Sequence, residues 1–127
     1  MLKKVVYVAL LVGDQDKALD FYTNVIGLEK RIDSPTPGGP RFLTVGVEGQ
    51  DFELVLWPGT PASAELGSAV YTIEVEDCRE TFETLKSRGA NFQPPEILEF
   101  PWGSVARFQD PDGNLLQVRE GRGEFRL

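Results

Sequence analysis

One pattern occurs twice in this chain, about 60 residues apart, and a tandem copy constrains the fold more than any single motif does. Laying Val12, Gly13 and Asp14 on Val75, Glu76 and Asp77 also lays Leu19 on Phe82 and Tyr22 on Leu85, and brings Gly27 and Gly89 to within one residue of register. In the first copy, residues 5–12 are a continuous valine-rich apolar run, expected as a strand buried on both faces. Asp14 stands where an N-cap should be. Ala18, Leu19, Phe21, Tyr22, Val25 and Ile26 then follow at helical spacing, closed by Gly27. Residues 28–32 resume as a strand, SPTPGGP at 34–40 is a loop, and residues 41–47 and 52–57 flank EGQD as a hairpin. The second copy repeats the order. It has a strand over 69–75 and a helix capped by Asp77 with Thr81, Phe82, Leu85 and Lys86 before Gly89. It closes on a hairpin, 103–109 and 115–119, about DPDGN, where Pro111 presets the turn and Gly113 takes a positive φ. The pattern predicts an α+β fold of two tandem βαβββ modules in one domain: module 1 over 3–57, a linker over 58–68, module 2 over 69–120, and a tail over 121–127.

Composition narrows the chemistry. At 127 residues and 41% hydrophobic, the chain suits one compact domain or two small modules sharing a core. Thirteen Lys and Arg against twenty Asp and Glu give a net charge of −7, with no basic cluster, which argues against nucleic-acid binding. The apolar run near the N-terminus is too short to span a membrane, which takes about 20 residues, and no small-residue cleavage site follows it. The single cysteine, Cys78, cannot form an internal disulfide, which agrees with a reducing, cytoplasmic setting. The chain contains no histidine. That removes serine and cysteine triads built on imidazole and the commonest nitrogen ligand for zinc, iron and nickel.

The paired module, with V-x-D-x-D-K-A-L-D-F-Y-x-x-V-I-G-L over 12–28 and D-P-D-G-N over 110–114, resembles the vicinal oxygen chelate superfamily: glyoxalase I, bleomycin-resistance proteins, extradiol dioxygenases and methylmalonyl-CoA epimerase. The resemblance implies curved mixed sheets around a cavity, and a homodimer. It also implies that metal-using members draw two ligands from each module. Carried onto this sequence, those positions fall on Tyr7, on Glu53 with Val55 as the two-residue alternative, on Val70, and on Gln117. This set suits a metal poorly, since valine donates nothing and only Glu53 is anionic. No metal and no cofactor is expected, and the resemblance points instead to a metal-independent binder of a small apolar or aromatic molecule. The alternative it implies is an enzyme, a lyase, isomerase or dioxygenase, with Glu53 as base or metal ligand.

Strand alternation places further side chains on the face of those positions: Val5, Ala9 and Leu11 with Tyr7; Val55 and Trp57 with Glu53; Thr72 and Glu74 with Val70; Val105, Arg107, Leu115 and Arg119 with Gln117. The candidate ligand-binding set is therefore Tyr7, Glu53, Val55, Trp57, Val70, Thr72, Arg107, Gln117 and Arg119, with Glu53 the candidate catalytic group. Arg107 or Arg119, pointing inward, would clamp a carboxylate or phosphate. Glu74, near its strand's end, reads as solvated. Trp57 and Trp102 read as core or rim packing more than as stacking platforms, although Trp102 sits in a loop, FPWG, that could form a lid. Cys78 begins a helix, where a thiolate is favoured.

Overall fold

The computed structural model describes residues 1–61 and 70–127. Residues up to Pro61 form one compact unit and the described residues from Val70 onward a second. The fold is α+β. Among the described residues no helix is long and apolar enough to cross a membrane.

In the first unit, β1 (Tyr7–Val12), β2 (Glu29–Ser34), β3 (Phe42–Gly46) and β4 (Glu53–Pro58) form an open sheet in the order β1-β4-β3-β2 that does not close into a barrel. The β1-β4 pair is parallel and the others antiparallel. Leu10, Val12, Leu43, Val45, Leu54 and Leu56 bury one face of this sheet, as Ala18, Phe21 and Tyr22 are buried on the helical segment. The expectation of a first strand buried on both faces is corrected. It starts at Tyr7, lies at the sheet edge, and leaves Val5 71% exposed, because a run of valines looks the same whether the chain is flanked by two strands or by one.

Asp14 caps α1 (Gln15–Asp20) as predicted, accepting from the amides of Asp16 and Lys17 at 2.9 and 3.0 Å. The helix then widens into a π-helical turn, Phe21–Ile26, ending at Gly27 with φ 94°. Spacing at three and four residues could not reveal that widening. It lets the adjacent rings of Phe21 and Tyr22 both turn inward, edge to face at 5.2 Å. The first sheet also reaches into the predicted linker: Pro58 ends β4, and the Gly59 amide donates to the Val12 carbonyl at 2.9 Å. Positions 62–68 of that linker, and Ala69, lie outside the described residues.

The second unit holds β5 (Val70–Glu74), α2 (Cys78–Ser87), β6 (Asn91–Phe92), β7 (Leu98–Phe100), β8 (Gly103–Gln109) and β9 (Leu115–Gly121), with a 3-10 turn at Gly123–Phe125. The sheet runs β5-β9-β8-β6, and β7 also pairs with β8. The expected single strand after the helix is thus two short pieces, interrupted by Pro94 and Pro95, which have no amide hydrogen for a ladder. Phe82, Phe92 and Phe108 stack edge to face in the core, at 4.6 and 5.4 Å. The DPDGN turn closes on Asp110, whose Oδ1 accepts from the amides of Asp112 and Asn114 at 2.9 and 2.8 Å, with Gly113 at φ 92°.

Candidate functional site

The predicted face of the first unit assembles. In the parallel register Tyr7 lies opposite Glu53, Ala9 opposite Val55 and Leu11 opposite Trp57, and β3 continues the rows with Gly46 beside Glu53 and Thr44 beside Val55. Glu53, rather than Val55, is therefore the partner of Tyr7. The Tyr7 ring meets Phe42 edge-on at 5.6 Å and remains 44% exposed, while Val55 and Thr44 are buried. Val5 precedes the strand and is not part of the face.

Arg31 is the residue that sequence reasoning missed. The row across the sheet is Tyr7, Glu53, Gly46, Glu29, and Arg31 stands two residues beyond Glu29 on β2, where the pairing with β3 shifts register. Its Nε donates to Glu29 Oε1 at 2.5 Å, Nη2 to the carbonyls of Val47 and Gln50 at 2.6 Å each, and Nη1 reaches Glu53 Oε2 at 3.4 Å. Gly46 makes room: a Cβ there would lie 3.0 Å from Arg31 Cζ and 3.1 Å from the Phe52 carbonyl oxygen. The two side chains are only 17% and 14% exposed. Glu53 Oε1 is buried and has no hydrogen-bond partner among the described residues. The signal that could have found Arg31 is a glycine flanked in register by two carboxylates, a gap shaped for a long cation.

The register of the second unit repeats that of the first, Thr72 and Arg107 flanking Gln117 as Ala9 and Thr44 flank Val55. Val70 lies opposite Leu115, and Thr72 opposite Gln117. Val70 and Gln117 are accordingly diagonal neighbours, as Tyr7 and Val55 are in the first unit. Arg107 continues the Thr72-Gln117 row and Val105 the Glu74-Arg119 row. Side chains link the first row: Gln117 Nε2 donates to Thr72 Oγ1 at 2.8 Å, and Arg107 Nε donates to Gln117 Oε1 at 3.1 Å.

Three expectations are corrected here. Glu74 is not a solvated residue: its Oε1 accepts from Arg119 Nη1 at 2.6 Å and its Oε2 from the Gly121 amide at 3.0 Å. The FPWG segment is no free loop, because Phe100 belongs to β7 and pairs with Gly103. Trp102 stacks on Phe100 at 4.9 Å and lies 5.6 Å from the Arg119 guanidinium. Cys78 is buried; its burial, with the Glu120 carboxylate next, pushes the thiol up to about 11, so the helix start does not yield a thiolate.

The donors at the four family ligand positions do not fit a resident divalent ion. Val70 offers none, Gln117 is engaged on both ends of its amide, and Glu53, the one carboxylate, is already beside a guanidinium. Among the described residues no group of three or more Cys, Asp or Glu is placed to hold one.

The duplicated module and this pair of sheets define a protein class. The chain belongs to the Glyoxalase/Bleomycin resistance protein/Dioxygenase superfamily, whose family model matches residues 4–118. Among its relatives, YetH of Bacillus subtilis (strain 168), a protein named only as uncharacterized, is 32% identical over 94% of this chain and 100% of its own length. A probable lactoylglutathione lyase of Vibrio cholerae is 29% identical, covering 94% of this chain and 91% of its own. Among solved structures, TnmS3, an antibiotic binding protein from Streptomyces sp. CB03234, superposes with a TM-score of 0.78 at 29% identity over 95% of this chain and 98% of that one.

Proposed function

We propose that this chain is a metal-independent small-molecule-binding protein for amphipathic ligands, with candidate ligand-binding groups on a sheet face of each unit: Tyr7, Glu53, Val55 and Trp57 in the first, and Val70, Thr72, Arg107, Gln117 and Arg119 in the second. The observation that carries the reading is the state of the family ligand positions. The polar groups there are bound to protein side chains of their own, Glu53 to Arg31 and Gln117 to Thr72 and Arg107, among apolar neighbours. Such mixed lining suits an organic ligand. The likeness to an antibiotic binding protein points the same way. The test is thermal denaturation across a panel of antibiotics and aromatic metabolites in excess chelator. At least one compound is expected to raise Tm in proportion to the logarithm of its concentration, chelator or not. A shift that appears only when a divalent ion is restored overturns the reading.

A second reading, an enzyme with Glu53 as base, is favoured by the buried, unpartnered Glu53 Oε1 and by the resemblance to lactoylglutathione lyases. Turnover of the hemithioacetal of methylglyoxal and glutathione, abolished in Glu53→Gln, would establish it. A homodimer in the cytoplasm completes the proposal, supported by β1 and β5 standing last in the order of their sheets. A solution mass near 14 kDa by light scattering would refute the dimer.

A further inference from the structure

Four arginines are half-buried among the described residues, and three are neutralised. Arg31 has Glu29 and Glu53, Arg41 has Asp16 and Asp33, and Arg119 has Glu74. Arg107 is the exception. Its one side-chain hydrogen bond is from Nε to the neutral oxygen of Gln117, and its two Nη atoms meet no acceptor among the described residues. In a chain of net charge −7, each of the other half-buried arginines has found a carboxylate. A guanidinium left out of such pairing on a half-buried sheet face keeps charged donors to spare for a ligand.

The arrangement around it is also pre-organised. Thr72 fixes the amide of Gln117, which therefore presents its oxygen to Nε and pins the plane of the guanidinium. With Nε occupied, the two Nη atoms remain as a parallel pair of donors, the geometry that a planar carboxylate accepts with both oxygens. Val105, Val70 and Leu115 lie on the same face and are apolar.

Resting on the binding function proposed above, we infer that the ligand of this face is an organic carboxylate, and that Arg107, held by the Gln117-Thr72 pair, is the residue that selects it. Arg119 serves the fold, tied to Glu74, to the Phe125 carbonyl at 2.9 Å and to the Trp102 ring.

The experiment compares 2-naphthoate with its neutral isostere 2-naphthamide by titration calorimetry against the full chain. The wild type is expected to bind the carboxylate at least about tenfold more tightly than the amide, the scale of a charge-assisted, two-point bond. Arg107→Gln should bring the two within about twofold of each other by weakening naphthoate binding, with far-UV circular dichroism and Tm showing that the variant folds. Arg107→Lys, with charge but no planar fork, should fall between them. Equal affinities in the wild type, or a preference that survives in Arg107→Gln, would overturn the carboxylate inference and leave the binding function standing. Binding of neither probe at millimolar concentration would count against both.

Discussion

The two units carry the same chain order and yet leave opposite polar capacity on their sheet faces. In the first, a buried guanidinium is saturated and a carboxylate oxygen is left over: Arg31 bonds two carboxylates and two carbonyls, while Glu53 Oε1 has no partner among the described residues. In the second, the carboxylate is saturated and a guanidinium is left over. Glu74 accepts from Arg119 and Gly121, while Arg107 holds only Gln117. A duplicated scaffold fixes where side chains stand, and the partner on another strand of the sheet decides which of them has donors or acceptors to spare for a ligand.

The largest effect that would break this comparison is at Arg31. Arg31→Met should cost about 3 kcal/mol in urea unfolding, since it strands the buried Glu53 carboxylate without a counter-charge. Glu53→Gln should cost under about 1 kcal/mol, because Arg31 keeps Glu29 and both carbonyls. Equal costs for the two would mean that the pair is not asymmetric.

The same measurement in the second unit should give a smaller spread. Arg119→Met is expected to cost about 2 kcal/mol, less than Arg31→Met because Glu74 retains the Gly121 amide. Arg107→Met should stay within about 1 kcal/mol of wild type, having no carboxylate to strand. A loss at Arg107 as large as that at Arg31 would make it a structural residue.

The smallest effect is one on which the units should agree. Arg41, through its hydrogen bonds, holds the Asp33 carboxyl below its usual range, and Arg122 does the same for Glu99. A lowered carboxylate pKa contributes stability that is present above the ordinary pKa, about 4, and lost as pH falls through the folded value. Both groups are at the surface, so a gentle decline in Tm below about pH 4, flattened by salt, is the expected result. A decline that begins above pH 6 would point to some other group.

Much of the fold was legible because its signals are local. Asp14 and Asp77 cap, Gly27 and Gly113 turn, and strand alternation put Tyr7 in one row with Glu53 and Thr72 in one row with Gln117 and Arg107. What failed to show was the result of pairing between strands. No local pattern reports that β1 is an edge, that Val70 pairs with Leu115 rather than with Gln117, or that Pro94 and Pro95 divide a strand's worth of chain into β6 and β7. Arg31 and Glu74 were missed for the same reason. Arg31 meets Glu53 across 22 residues of sequence and Glu74 meets Arg119 across 45, and charge identity alone does not say which of many carboxylates an arginine will find.

The central claim, that the old ligand positions no longer serve a metal, is tested most directly by elemental analysis of protein purified without chelator, wild type beside Glu53→Ala. The account predicts far less than one equivalent of zinc, iron, nickel or manganese per chain in both. One equivalent in the wild type, lost in Glu53→Ala, would contradict it.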